Sequence, residues 1–356
     1  MSILPGFGKE MKDQIKDILA SFDLDVAQFR IERINSGHIN YTYKLSGRSS
    51  FILQRINKSV FTKPEWIAHN HGLAQTYLKE NFPDYLFLDT LKTSTGLDLV
   101  YDKDDFPWRI FPYIEGSHTV DEVGNAAQAF NAAAAFGALS KKLSPCDPHQ
   151  FKVIISNFHD LDFRYHQFED ALAKGIAARK VVAASLISKC QEYHFLVERY
   201  SKLKASGKLR LRITHNDTKI NNVLFASGSN EVLCVIDLDT LMPGYFIYDL
   251  GDMVRTFVSP VSEEESDFTK IRVREEVKQA IEEGYLSEMR QVLTKEELEV
   301  LSFAGPMMTY MIGMRFLTDY LMGDTYYQIS SPDQNLIRAG NQFCLLEHLL
   351  TQAHQY

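Results

Sequence analysis

Two periodicities divide the chain. Over residues 29–57 apolar and polar positions alternate, broken at Ser36-Gly37 and Ser46-Gly47. Period-two runs joined by short glycine turns predict hairpin-linked antiparallel strands. An amphipathic helix is expected before them over 9–22. The stretch 64–80 (PEWIAHNHGLAQTYLKE) opens with a proline suited to the first helical position and places Trp66, Leu73, Tyr77 and Leu78 on one face, so a helix should follow the third strand. Runs at 86–90, 98–101 and 108–114 read as further strands. From Asp121 onward the period lengthens to that of helices: an Ala-rich segment over 125–143, then 158–172, 181–203, 271–293 and more toward the C-terminus. One β-rich island interrupts them, where 223–225 and 232–236 flank the turn-forming Ala226-Ser-Gly-Ser-Asn230. The expected architecture is α+β, a small β-rich first lobe and a large, mainly helical second lobe, with no internal repeat and no linker long enough to separate independent domains.

Composition narrows the class of partner. With 356 residues, 45% hydrophobic and 24% charged, the chain can bury a large core as one bilobal unit or two domains. Lys plus Arg number 38 against 46 Asp plus Glu, a formal charge of −8 that disfavours nucleic acid and anionic membrane surfaces and points to a small-molecule substrate. Cys146, Cys190, Cys234 and Cys344 form no C-x-x-C pair, which argues against a zinc site and a disulfide framework and fits a reducing compartment. The opening MSILPGFGKEMKD lacks a signal-peptide core, and no apolar run approaches the ~20 residues that span a bilayer. A cytoplasmic location is expected.

Chemistry concentrates in His215-Asn216-Asp217-Thr218-Lys219-Ile220-Asn221-Asn222, which fits H-x-D-x-x-x-x-N just before the predicted hairpin, while Ile236-Asp237 closes that hairpin's second strand. Phosphoryl transfer needs an aligned nucleophile, metal ions across the phosphates and cations where charge accumulates. Asp217 can accept an acceptor hydroxyl's proton and hold its oxygen in line. Asn222 and Asp237 converge as hard oxygen ligands suited to Mg²⁺ on ATP. Lys219 can place its ammonium near the γ-phosphate, and His215 packs to fix the loop. An Asn-rich turn and a strand-end cap would account for either piece alone, but base, ligands and hairpin occur in the order of the phosphoryl-transfer template.

HNDTKINNVLF followed by VIDLDTLMPGYFIYDLGD resembles the aminoglycoside phosphotransferase and choline kinase superfamily, and within it is most similar to the N-acetylhexosamine 1-kinases. The resemblance spans essentially the whole chain. It implies a protein-kinase-like bilobal fold: an N-lobe over 1–111, a hinge at 112–116 and a helical C-lobe over 117–356 carrying the catalytic, metal-binding and acceptor sites. Ser36, Gly37 and Asn40 then belong to the nucleotide-covering loop, and the Pro112 carbonyl and Ile114 amide become the adenine contacts. Tyr248-Asp249-Leu250-Gly251-Asp252 resembles the segment whose acid, here Asp249, buttresses the catalytic loop. The third strand departs from the pattern. Where the superfamily commonly has a phosphate-binding lysine, this chain reads Phe51-Ile52-Leu53-Gln54-Arg55, so either Arg55 substitutes or Gln54 occupies the site; alternation puts the two on opposite faces. Glu65 is the candidate partner acid on the following helix. Asp239 either joins the metal site or is a turn residue.

Acceptor identity rests on the same resemblance, which implies Arg315, Tyr326 and His38, with Asp217, as sugar contacts. Against that, Arg315 can pair with Asp319 four residues on, with Tyr326 buried. The leading expectation is an ATP-dependent sugar kinase that phosphorylates the anomeric hydroxyl of an N-acetylhexosamine. The alternatives are a phosphotransferase of choline, an aminoglycoside or an amino alcohol, or an inactive nucleotide-binding scaffold. Glu263-Glu264-Glu265 reads as the solvated start of a helix. Cys146-Asp147-Pro148 has the C-x-P of a sulfatase but ends in Gln150, and neither G-x-S-x-G nor H-E-x-x-H occurs.

Overall fold

The computed structural model describes residues 9–34 and 39–353. Ser36, Gly37 and His38 of the expected nucleotide-covering loop lie outside the described residues. The chain begins with α1 (Lys9–Ala20), β1 (Arg30–Ile34), β2 (Tyr41–Ser46), β3 (Phe51–Arg55), α2 (Pro64–Asn81), β4 (Val100–Tyr101) and β5 (Pro107–Pro112). The strands form one antiparallel sheet in the order β1-β2-β3-β5-β4. Alternation gives this sheet two chemically distinct faces. Ile31, Tyr43, Leu45, Leu53, Trp108 and Ile110 pack with Ile15, Ile18 and Leu19 of α1. The intervening residues Thr42, Lys44, Ile52, Gln54, Arg109 and Phe111 face a cavity toward the rest of the molecule.

The apolar run at 86–90 is not a strand. It passes β5 with Leu91 N–H donating to Ile110 O at 2.8 Å, and Thr90 at its end and Lys92 just past it both bond the Asp98 carboxylate. Side-chain bonds there replace a ladder, and β4 is confined to Val100–Tyr101 rather than beginning at residue 98.

The remainder comprises β6 (Ser117–His118), α3 (Ala126–Leu143), α4 (Leu161–Lys174), α5 (Ala177–Val182), α6 (Ala184–Glu192), α7 (Phe195–Ala205), β7 (Arg212–Thr214), β8 (Val223–Ala226), β9 (Val232–Val235), β10 (Met242–Gly244), α8 (Phe246–Phe257), α9 (Glu275–Met289), α10 (Lys295–Leu298), α11 (Ala304–Met322) and α12 (Gln334–Ala353). The molecule is α+β, a small antiparallel sheet lobe followed by a helical lobe. β8 and β9 form the anticipated hairpin, with β6 added at its edge, while β7 pairs with β10. The Ala-rich α3 is capped by Asn125, whose side chain accepts from Gln128 N, and lies against α9. Their approach requires Gly284, because a Cβ there would sit 2.3 Å from Phe130 O.

Two helical expectations change in extent. The segment 181–203 is not one helix but parts of α5, α6 and α7, broken at Ala183 and at Tyr193–His194, and Arg179 ties α5 to the end of α11 by donating to Tyr320 O and Asp324. The segment expected from 271 starts its helix only at Glu275. Arg274 fixes the preceding backbone by donating to Val123 O, Phe257 O and Ser259 O. The acidic run at 263–265 is loop, not a helix start: Arg255, Arg338 and Lys270 pair with Glu263, Glu264 and Glu265 respectively. Among the described residues no helix is long and apolar enough to cross a membrane, and the four cysteines are unpaired.

Candidate active site

The loop after β7 is built by satisfying backbone polar groups from a buried carboxylate. Asp249, on the first turn of α8 and fully buried, accepts from Asn216 N at 2.7 Å and His215 N at 3.0 Å. Thr218 Oγ1 donates to Asp249 O at 2.7 Å and Thr240 Oγ1 to His215 O at 2.7 Å. Asn216 takes the left-handed conformation at φ 65°, which Asn tolerates better than most residues, and its amide donates to Thr214 O and Thr240 O. Gly244 opposite admits this turn, since a Cβ there would meet Thr214 Oγ1 at 2.2 Å. His215 is a loop brace. Its Nε2 lies 2.9 Å from Ile236 O and its Nδ1 accepts from Asp217 N at 3.2 Å, which makes Nε2 the protonated nitrogen.

The braced loop presents Asp217 to the cavity with Lys219 Nζ 3.1 Å from Oδ1. Burial pushes the Asp217 carboxyl up, but Lys219 and His215 outweigh it and hold the carboxyl below its ordinary value. Asn222 Nδ2 donates to Asp217 O at 2.8 Å and Oδ2 at 3.2 Å, so its amide oxygen remains uncommitted among the described residues. Ile236 N–H donates to Asn222 O at 2.9 Å and brings the following residue alongside. That residue, Asp237, is left-handed at φ 56° and lines the same cavity. Burial, then Asp239 and Asp217, raise its carboxyl to about 7. A neutral amide oxygen and a crowded carboxylate, neither bonded to a protein donor among the described residues, are a donor pair that fits a hard divalent cation. No cluster of three or more His, Cys, Asp or Glu suited to a metal occurs among the described residues.

The cavity, about 660 Å³, runs from Phe111–Ile114 past Asn40, Gln54 and Arg109 to Asp217, Lys219, Asn222 and Asp237. Pro112 and Ile114 are therefore at its wall, with Ser117 Oγ donating to Ile114 O at 2.6 Å. Arg55 is not in it. It belongs to the Leu53 face of the sheet, with its guanidinium 4.2 Å from the Tyr41 ring centroid and 4.6 Å from that of Phe106. Gln54 is the residue that faces the cleft, as strand alternation requires. Glu65 is exposed in the first turn of α2 and is not among the cavity-lining residues. Asp239 lies in a single 3-10 turn, Leu238–Thr240, where it is buried, paired with Arg109 at 2.5 Å, and accepts from Asn40 Nδ2 at 2.7 Å. Arg109 went unremarked in the sequence because its facing position follows only from the register that sets it opposite Gln54.

Beyond Asp217 the wall is charged and aromatic. On α8, Arg255 bonds Asp252 at 3.0 Å and Glu263 at 2.6 Å, and Glu263 lines the cavity. Arg315 and Tyr326 do not line that cavity. They lie together, Nη2 of Arg315 at 3.5 Å from the Tyr326 hydroxyl, with the Arg315 guanidinium 5.4 Å from the Phe158 ring centroid. Asp319 does not pair with Arg315, because it accepts from Thr325 N, Tyr326 N, Tyr327 N and Asn335 Nδ2 at 2.8–2.9 Å. Nor is Tyr326 buried; it is 56% exposed. His159 links the two regions: its Nε2 lies 2.8 Å from Asn216 O, and burial lowers its pKa to about 3.

Several solved structures share this architecture. The chain superposes on a microcompartment-associated aminopropanol kinase at 19% identity and TM-score 0.66, covering 95% of this chain and 97% of that one. It superposes on an aminoglycoside phosphotransferase from Alicyclobacillus acidocaldarius at 12% identity and TM-score 0.62, covering 95% and 96%. An ethanolamine kinase from Plasmodium vivax gives 12% identity and TM-score 0.59, covering 95% and 91%. At such identities these likenesses speak for the fold. The sequence itself goes further: residues 30–291, which hold the sheet, the braced loop and the hairpin, match the phosphotransferase enzyme family, and the chain belongs to that family.

Proposed function

We propose that the chain is an ATP-dependent kinase of a small hydroxyl-bearing molecule, and that the acceptor is the anomeric hydroxyl of an N-acetylhexosamine. The observation that carries the kinase reading is Asp217, an ionised carboxylate on a rigid loop at the cavity wall, with an ammonium 3.1 Å away and two oxygen donors beside it. Asp217 orients the acceptor oxygen and takes its proton as the bond to phosphorus forms. Lys219 keeps Asp217 ionised before transfer and offers positive charge to the moving phosphoryl group. Asn222 Oδ1 and the Asp237 carboxylate would hold Mg²⁺, which when bound neutralises phosphate charge. The hinge Pro112–Ile114, with Asn40, Ser36 and Gly37, is assigned to the nucleotide.

The acceptor class is argued from charge. Arg315 and Arg164 lie beside the Tyr326 and Tyr327 rings, and Arg164 is lowered to about 10 by burial and then by Arg315. Arg164 donates to Phe158 O and Gln167, and Arg315 to the Tyr326 hydroxyl, so no carboxylate bonds either guanidinium among the described residues. This cluster lies outside the cavity but adjoins the Asp217 loop through His159; it would repel an ammonium and suit the carbonyl and hydroxyl oxygens of an acylated sugar, with Arg315, Tyr326 and His38 as the proposed contacts. Glu263 favours a second reading, an amino alcohol, in keeping with the aminopropanol and ethanolamine kinases of similar fold. Arg255 already neutralises Glu263, which weakens it. An ADP-release panel of N-acetylglucosamine, N-acetylgalactosamine, aminopropanol, ethanolamine, choline and kanamycin separates the readings. Turnover of the acetylated hexosamines is expected; turnover only of an amine would remove the sugar assignment.

A further inference from the structure

Among the described residues four Lys or Arg side chains line the cavity, and three have their charged groups taken up by acids or by a ring. Lys219 pairs with Asp217, Arg255 is held between Asp252 and Glu263, and Lys44 Nζ sits 3.6 Å from the Tyr113 ring centroid at the hinge end. The fourth is Arg109. On β5 it stands directly opposite Gln54 of β3, whose Oε1 accepts from Nε at 3.1 Å and Nη2 at 2.8 Å. Nη2 also meets Asp239 Oδ1 at 2.5 Å. Both side chains of that ion pair are nearly inaccessible, 5% and 3% exposed.

Burying a guanidinium costs several kcal/mol unless neighbours compensate. Here the hydrogen-bonding and ionic partners lie along one edge only, with the Phe111 ring centroid 4.9 Å from the guanidinium carbon. Gln54 and Asp239 occupy Nε and Nη2, and Asp239 is itself held by Asn40 Nδ2, whose Oδ1 accepts from Asn57 N at 3.1 Å. Nη1, with two N–H donors, has no partner among the described residues, on a side chain that lines the cavity next to Asp237. A clamped guanidinium with one amino group free has the fixed donor geometry that phosphate oxygens take. Neither strand-three residue can do this: Arg55 is on the other face, and Gln54 carries no charge.

We propose that Arg109 is the cation that receives the nucleotide's phosphate oxygens from the sheet side of the cleft, with Gln54 and Asp239 as its positioning residues. A charge commonly supplied by a lysine on the third strand is here supplied by an arginine one strand over, reached across the ladder. The inference rests on the adenine-nucleotide reading and names the residue that reading lacks. It also gives Asp239 a role distinct from that of Asp237, namely orienting a cation.

The test compares affinities for adenosine and ADP by titration calorimetry, with and without Mg²⁺. In Arg109→Met, ADP binding should weaken by on the order of 30-fold while adenosine binding stays within about threefold, because only ADP carries the phosphates that a charged donor bonds. Gln54→Leu should change the same ratio in the same direction by a smaller factor. Should Arg109→Met fail to fold, leaving Asp239 unpaired in the interior, Arg109→Met with Asp239→Asn removes both charges and the same ratio is read. An unchanged ADP-to-adenosine ratio, whether both affinities persist or both fall, would overturn the proposal. Wild-type protein that binds neither ligand would sink the nucleotide reading itself, and the proposal with it.

Discussion

Asp217 is the residue on which the proposed chemistry turns. Asp217→Asn preserves shape and the amide hydrogen bonding around Asn222 but cannot accept a proton, so kcat should fall by about 10²–10⁴ with ADP affinity little changed; turnover near the wild-type level would remove Asp217 from its role. Two histidines set a pH limit of a different kind. His71 is lowered to about 4 and His159 to about 3, each chiefly by burial. Their folded pKa values lie below the unfolded value of about 6.5, so the unfolded chain binds more protons between those limits. The stability they contribute is complete above pH ~6.5 and is lost as pH falls toward 4, on the order of 1 kcal/mol per pH unit for each. Denaturant midpoints at pH 7 and 5 should show this slope, and His71→Gln should make it shallower. A His71→Gln protein with the wild-type slope would contradict the assignment.

At the scale of elements, the braced loop depends on how β7 is anchored. Glu297, fully buried on α10, accepts from Arg212 Nη1 at 2.6 Å, Arg212 Nη2 at 2.8 Å and Arg210 N at 2.9 Å, and closes a capping box with Thr294. One carboxylate thus ties the strand that delivers Asp217 to a helix start some eighty residues on. Glu297→Ala leaves the Arg212 guanidinium buried without its counter-charge and should cost about 3–5 kcal/mol. Chemical denaturation measures it, and a loss below 1 kcal/mol would show the pair to be incidental. The same scale explains the short α5, α6 and α7 and the late start of α9. Arg179 within α5 bonds Tyr320 O of α11, and Arg274 before α9 bonds Val123 O, Phe257 O and Ser259 O; helical periodicity carries no trace of such bonds.

Across the whole molecule, the two lobes meet through an apolar cluster of Ile56, Phe61, Ile67, Ile154 and Met242 and through a few buried polar groups. Asn70 of α2, fully buried, donates to Lys152 O at 2.8 Å and Leu241 O at 2.9 Å and accepts from Lys152 N at 2.7 Å. Asn40 to Asp239 makes a second link, close to the cavity. Asn70→Ala strands three backbone groups and should cost about 2–4 kcal/mol. It should also loosen the sheet lobe against the Asp217 loop, so KM for ATP should rise more than kcat falls. A stable variant with unaltered KM would show that Asn70 does not couple the lobes.

Much of the architecture, and the grouping of the candidate site's residues around one cavity, were legible in the linear order of residues. The division into a sheet lobe and a helical lobe follows from a change of hydrophobic period. Asp217, Asn222 and Asp237 are close in sequence, or one hairpin apart, so spacing alone places them together. What spacing cannot carry is register between segments far apart in sequence. Arg109 faces Gln54 because β3 and β5 pair across an inserted helix, Asp239 is claimed by Arg109 rather than left as a ligand, and Glu263 reaches the cavity because Arg255 holds it there. Arg55 illustrates the reverse: its residue type suits a phosphate contact, but the pleat turns it onto three aromatic rings. Local chemistry is written along the chain, whereas which side of a sheet meets the cleft, and which charges find partners there, is decided only when distant elements pack.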